Sequence, residues 1–318
     1  MTRRRGVALP EGRADTSVSV GSLTFANPVM TASGTAGHGA ELAPYGDLGS
    51  LGAVVVKSLA AYAWAGNPAP RVHPTPLGMI NAVGLQGPGV AAWATDDLPA
   101  LAATGARVVV SIWGRSVADY ASAAEQVGEA VAAGAAVAAV EVNRSCPTLA
   151  ARRGIFAPDP ALSAEVMAAT AVCGLPRWAK LSPNTDRLVE VAEAVSGAGA
   201  EAVTLINTVL GLVIDPHTRR AALGNGGGGL SGRAVHPVAV RAVHDVHSAL
   251  PHLAIVGVGG VSSGWDAIEL MLAGASAVQV GTATFADPRA PWKVLGQMQA
   301  WAAGEGIGRL AEVTGSMG

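Results

Sequence analysis

Cysteine, lysine and unbroken apolar runs are all scarce in this chain, and each scarcity closes off a class of function. Two cysteines, Cys146 and Cys173, in 318 residues make neither a disulfide framework nor a four-thiolate iron–sulfur or zinc site, and a reducing compartment fits that usage. Half the residues are apolar, yet long uncharged stretches such as 270–286 are broken by Gly, Ser, Gln and Thr, so no membrane-crossing helix is expected. Met1-Thr-Arg-Arg-Arg-Gly6 carries the charge of a signal peptide's first region. Pro10, Glu11, Arg13 and Asp15 then stand where its apolar stretch belongs, so residues 1–16 read as a disordered tail of a cytoplasmic protein. A net charge of -2 with scattered arginines offers no field for a polyanion, which excludes nucleic acid as a partner. The histidines, at 38, 73, 217, 236, 244, 247 and 252, have no metal-ligand spacing, and no metal is expected. His244 and His247, three apart on an expected helix, read as part of a solvated face.

Only three of the 21 basic residues are lysine. Two of them, Lys57 and Lys180, end β-type apolar runs, Ala53-Val-Val-Val-Lys57 and Arg177-Trp-Ala-Lys180. Where arginine supplies the ordinary surface cation, a compact ammonium kept at two strand ends points to chemistry. The alternative, two salt-bridged core lysines, explains either one separately.

Short β-branched runs alternate with Ala/Leu/Glu-rich helical stretches along the whole chain, the pattern of a parallel sheet built from βα units. Eight runs are read as strands one to eight: 27–34, 53–59, 107–114, 138–146, 177–183, 202–208, 254–260 and 277–283. Helical spacing falls at 116–133, 163–173, 188–198, 237–250, 264–273 and 291–303. Eight units predict an α/β fold, a (β/α)₈ TIM barrel formed as a single domain over 17–318. Residues 17–25 read as an N-terminal β-hairpin turning at Gly21-Ser22 and closing the barrel's lower end. Residues 60–95, rich in Pro and Gly, read as a long irregular loop at the C-terminal face, and Gly224–Gly229 as a second excursion after strand six.

Reacting groups of such barrels sit at the C-terminal strand ends. Those ends carry Ser33 (strand one), Lys57 and Ser58 (two), Ser111 (three), Asn143 and Cys146 (four), Lys180 (five), and Asn207 and Thr208 (six). Strands seven and eight end in Gly259-Gly260 and Gly281-Thr282, glycines that either only turn the chain or, through bare backbone N–H groups opening the following helices, make a phosphate cradle. Two lysines and several carboxamides beside that cradle suit a large polar ring with a cation near its electron-rich locus. Cys146, beside Ser145 at the mouth shared by both lysines, is a candidate proton-abstracting base, whereas Cys173, on an Ala-rich helix, reads as an inert core thiol. Residues 148–160, with Arg152-Arg153-Gly154, suit a lid over the site.

These residues resemble a known family. The motifs are Ala32-Ser-Gly-Thr35, Val56-Lys-Ser58, Gly66-Asn-Pro-Ala-Pro-Arg71, Asn81-Ala-Val-Gly-Leu-Gln86, Asn143-Arg-Ser-Cys-Pro147, Lys180-Leu-Ser-Pro183, Ile206-Asn-Thr208, Gly229-Leu-Ser-Gly232, Gly257-Val-Gly-Gly-Val261 and Val280-Gly-Thr282. In order and together, the chain resembles the class 1 dihydroorotate dehydrogenases, in the form of the class 1B catalytic subunit. The resemblance implies an FMN-dependent oxidoreductase of pyrimidine biosynthesis that oxidises dihydroorotate to orotate. Cys146 and Lys57 would be the catalytic residues, Cys146 taking the proton from C5 while C6 delivers hydride to the flavin. FMN would contact Ser33, Lys57, Ser58, Ser111, Asn143, Lys180, Ile206, Gly232, Gly259, Gly260, Gly281 and Thr282. Substrate would meet Lys57, Asn81, Ala82, Val83, Gly84, Leu85, Asn143, Thr148, Asn207 and Thr208. A homodimer is implied, and so is a partner subunit carrying FAD and an iron–sulfur cluster if electrons are to reach NAD.

The chain departs from the family pattern at Thr148, Arg144, Gly87 and Ser111. Thr148 stands where a carboxamide usually pairs with the pyrimidine's imide edge, and a hydroxyl does not present the same donor and acceptor. The same flavin chemistry on another cyclic amide or imide is therefore a second expectation. A flavin-free phosphate-binding lyase with Lys180 as Schiff-base amine is a third.

Overall fold

The computed structural model describes residues 14–144 and 159–318. Its centre is an eight-stranded parallel sheet of Val29–Thr31, Val54–Val55, Val108–Ile112, Ala139–Asn143, Arg177–Lys180, Ala202–Leu205, Ala254–Val258 and Ala277–Val280, strands one to eight in chain order. Hydrogen bonding runs one, eight, seven, six, five, four, three, two. A parallel bridge between Met30 and Ala53, with Gly52 N–H donating to the Val29 carbonyl at 2.8 Å, joins two back to one and closes the barrel. Strands three, four, six and eight are buried at every position, as parallel strands covered by side-chain layers inside and helices outside must be. That double burial is why they read as apolar runs in the sequence.

The regular strands are shorter than the expected runs. Ladder bonds nevertheless continue past them: Asn207 N–H donates to the Leu181 carbonyl at 2.9 Å and Arg144 N–H to the Lys180 carbonyl at 3.1 Å. The expected helices are present at Val117–Ala132, Pro160–Ala169, Leu188–Gly197, His236–Ala249, Gly264–Leu272 and Ala290–Glu305. Ser116, Asp159 and Ser263 accept from first-turn amides at three of their starts.

The N-terminal hairpin pairs Val18–Val20 with Leu23–Phe25 about Gly21, whose φ of 58° suits the turn. It covers the lower end of the barrel. Ser22 donates to Glu201 at the start of strand six (2.5 Å), Arg107 before strand three donates to the Thr24 carbonyl (2.6 Å), and Phe25 packs edge-on against Trp178 of strand five. Residues 1–13 of the expected tail lie outside the described residues. Its described end is not loose, since Asp15 N–H donates to the Gly308 carbonyl and Leu310 N–H to the Asp15 carbonyl.

Two expectations need correction. Residues 60–95 are not an irregular loop: Val72–Thr75 and Gly78–Asn81 form a hairpin, and a helix runs over Val90–Asp96. With Gly228–Gly232 and Val209–Gly211 the hairpin builds a four-stranded antiparallel sheet, so the excursions after strands two and six pair with each other beside the mouth. His247 is half-buried rather than on a solvated face, packing so closely on Gly274 that a Cβ there would lie 2.2 Å from its Cγ, whereas the His244 side chain is 41% exposed. Among the described residues no helix is long and apolar enough to cross a membrane.

Candidate active site

A cavity of about 250 Å³ opens at the C-terminal strand ends. It is lined by Ser33, Lys57, Ser58, Asn81, Ala82, Val83, Gly84, Leu85, Asn143, Lys180, Ile206, Asn207, Thr208, Gly232, Gly259, Gly260, Gly281 and Thr282. Every described residue expected at the site is thus in one cavity, with a single exception. Ser111 is fully buried behind the wall, its hydroxyl 2.9 Å from that of Ser58, so it supports Ser58 instead of facing the cavity. Cys146, Thr148 and the expected lid as far as residue 158 lie outside the described residues.

The carboxamides are wired together. Asn207 Nδ2 donates to Asn143 Oδ1 at 3.3 Å, and Asn143 Nδ2 donates to Ser58 Oγ at 3.1 Å, which orients both amides. Asn143 is further fixed by Tyr120, whose hydroxyl donates to its backbone carbonyl at 2.7 Å. The loop 81–85 is braced by the proline-rich motif before it. Asn67 N–H donates to the Val83 carbonyl and its Nδ2 to that of Ala82, while Trp64 Nε1 donates to that of Gly84 at 2.9 Å. Arg71 meanwhile donates to Asn67 and Gln86 at the two ends of the arrangement. Gly84 and Leu85 both have positive φ, 76° and 60°, a held geometry that non-glycine residues adopt rarely.

The two lysines sit differently. Lys57 is half-buried and lies along Gly34, where a Cβ would fall 3.2 Å from its Cδ, so the glycine makes room for the ammonium at the cavity. Lys180 is 4% exposed, donates to Gln279 Oε1 at 3.2 Å and stands 3.8 Å from Glu141 Oε1. Both readings of the lysines therefore hold for Lys180, which is salt-bridged in the core and also borders the cavity. Acceptors engage its ammonium, which is the setting of a fixed cation and not of a Schiff-base nucleophile.

At the far end the glycines form a cradle. Gly259 (φ 138°) and Gly260 (φ 73°) admit no side chain, since a Cβ would approach Ala239 Cβ and His236 Cβ to 2.7 Å in each case. His236, buried at the first turn of its helix, places Nδ1 2.8 Å from the Gly259 carbonyl, which accepts only, so that nitrogen carries the proton. Its Nε2 lies 3.1 Å from Glu269 Oε2. Thr282 donates to Ser231 at 2.8 Å across the cradle. Beyond it lies a second cavity of about 660 Å³, sharing Val72, Met79, Gly232, Gly260, Thr282 and Phe285 with the first.

Burial also shifts two groups outside the cavity. It pushes the His38 imidazole below its ordinary range, with Lys57 nearby adding to the effect. It pushes the Cys173 thiol up, in keeping with an inert core residue.

The sequence reading missed Glu141, Gln279 and His236. A signal for the first two was present, a lone polar residue inside Ala-Val-Glu-Val and Ala-Val-Gln-Val. His236 offered none. Among the described residues no group of three or more His, Cys, Asp or Glu could hold a metal ion.

Comparison with known proteins agrees with this architecture. The family model described as dihydroorotate dehydrogenase matches residues 16–301. The chain is 46% identical over 305 residues to the dihydroorotate dehydrogenase B (NAD(+)) catalytic subunit of Desulforudis audaxviator (strain MP104C), covering 96% of this chain and 98% of that one. It is 44% identical over 306 residues to the protein of the same name from Alkaliphilus oremlandii (strain OhILAs), and 43% identical over 306 residues to that from Geobacter sp. (strain M21). Each of those two alignments covers 96% of this chain and 99% of the relative.

Proposed function

The chain belongs to the dihydroorotate dehydrogenase family, and from that premise we propose that it oxidises dihydroorotate to orotate on an FMN seated across the barrel mouth. One observation carries the reading: Lys57, Asn143, Lys180 and Asn207 converge on a single cavity that ends in a side-chain-free glycine cradle. The residues present suit FMN. Gly259, Gly260, Gly281 and Thr282 would take the phosphate, on a backbone that a Cβ at 259 or 260 would displace by striking Ala239 or His236. Ser33, Lys57, Ser58, Asn143, Lys180, Ile206 and Gly232 would meet the remainder, with ammonium, carboxamide and hydroxyl groups matching a ring whose edges donate and accept. When bound, FMN supplies the acceptor for a hydride from the substrate's C6.

The chain's own residues do the rest. Asn81 and the braced loop to Leu85, with Asn143, Asn207 and Thr208, bind and orient the cyclic imide. Lys57 places a cation where an anionic substrate enters. Cys146 takes the C5 proton, so the substrate loses one proton and one hydride and gains the C5–C6 double bond. FMN released by heating the purified protein, at about one per chain, supports this assignment, and protein without flavin contradicts it.

Thr148 separates this reading from the same chemistry on another cyclic imide. Substituting Thr148→Asn is expected to lower KM for dihydroorotate roughly 5- to 160-fold, since an imide edge left unpaired in a closed site costs about 1–3 kcal/mol. Steady-state kinetics with dihydroorotate and a dye acceptor measure this, and an unchanged KM assigns the pairing to another residue.

The electron acceptor belongs to the same proposal. With two cysteines the chain has too few thiolates for a four-thiolate cluster, and the class 1B resemblance implies that electrons reach NAD through a partner bearing FAD and an iron–sulfur centre. The relatives are named catalytic subunits, which supports such a partner. A homodimer and a cytoplasmic location complete the proposal.

A further inference from the structure

Four polar side chains from four strands meet inside the barrel beside the cavity. Glu141 of strand four and Thr204 of strand six are fully buried, as is Gln279 of strand eight, and Lys180 of strand five stands among them. The Lys180 ammonium donates to Gln279 Oε1 at 3.2 Å. Gln279 Nε2 donates to Glu141 Oε2 at 2.8 Å, and the Thr204 hydroxyl donates to the same oxygen at 3.0 Å. Glu141 Oε1 accepts no hydrogen bond among the described residues and faces the ammonium at 3.8 Å. The polarity of this ring is self-consistent. Turning the Gln279 amide over would set its NH₂ against an ammonium and its oxygen against a carboxylate.

A buried ion pair is no more stabilising than well-packed apolar side chains of the same volume, so fold stability does not account for this one. Its position does, because Lys180 is the member of the ring that borders the cavity. We propose that Glu141 is a positioning residue: acting through Lys180, it fixes the net positive charge presented to the flavin and so sets the flavin's reduction potential. The inference rests on the FMN reading above. Reduction adds negative charge to a flavin, and a cation nearby favours the reduced form. The Glu141 carboxylate behind that cation offsets part of it, and the hydroxyl of Thr204 in turn disperses part of the carboxylate's charge.

The test is the two-electron midpoint potential of bound flavin, from anaerobic reductive titration against reference dyes, in the wild type and two variants. Glu141→Gln removes the offsetting charge and is expected to raise the reduced-to-oxidised ratio at fixed potential about tenfold or more, a shift of about 30 mV upward. Thr204→Val, nearly isosteric, concentrates charge on the carboxylate and is expected to give a smaller shift in the opposite direction. Opposite signs are the signature, because a general loosening of the site would move both variants the same way. Equal potentials, or shifts of one sign, overturn the inference while leaving the FMN reading intact. Wild-type protein that binds no flavin overturns both. Should Glu141→Gln fail to fold, the sign of the Thr204→Val shift decides: downward supports the role, upward or none refutes it.

Discussion

Replacing Cys146 with alanine is expected to slow reduction of the bound flavin by dihydroorotate about 10²- to 10⁴-fold while leaving FMN content unchanged. That range is the usual contribution of a positioned general base. The expectation rests on place in the chain. Cys146 follows Asn143 by three residues, and Asn143 is the last residue of strand four, with its side chain in the cavity wall. The loss should fall on the chemical step alone, since the FMN contacts proposed here come from other residues. Anaerobic stopped-flow at the visible absorption band of the oxidised flavin measures it. A rate within a few-fold of wild type would remove Cys146 from the base's role.

The second large effect concerns the cradle. Gly259→Ala is expected to yield folded protein that binds FMN roughly 5- to 160-fold more weakly, with flavin lost during purification. At φ 138° an alanine is strained whatever the space, and its Cβ would lie 2.7 Å from Ala239 Cβ. Strain of about 1–3 kcal/mol must be relieved by moving the backbone proposed to hold the phosphate, and the Gly259 carbonyl is already held by His236 at 2.8 Å. Gly296→Ala is the control. That glycine is exposed on the helix Ala290–Glu305 with nothing within 4 Å of an added Cβ, so its variant should keep full flavin. Fluorescence titration of apoprotein with FMN measures both, and equal affinities would place the phosphate elsewhere.

The barrel was legible because the parallel strands are buried on nearly all of both faces, which leaves mostly apolar runs, broken by single buried polar residues such as Glu141, Thr204 and Gln279. The cavity followed from the strand ends: Lys57, Asn143, Lys180 and Asn207 are separated widely in sequence but share one height on a closed barrel. The antiparallel sheet beside the mouth was hidden by its composition. Gly228 and Gly229 occupy a strand where a Cβ would strike the Asn81 carbonyl (2.5 Å) and the Thr208 hydroxyl (2.0 Å), so close packing demanded the residue type that normally signals a loop. Ser111 was placed at the right strand end but one layer too near the cavity, since no pattern distinguishes a hydroxyl facing a ligand from one facing another hydroxyl. Glu141 and Gln279 became meaningful only when strands four, five, six and eight were brought around one axis.

The most direct test of the account is to add dihydroorotate anaerobically to the yellow protein and follow its visible spectrum together with the orotate formed. The account predicts that the flavin bleaches and that one orotate appears for each flavin reduced. A protein that holds FMN yet stays fully oxidised in excess dihydroorotate would contradict it, and would transfer the chemistry of this site to another ring.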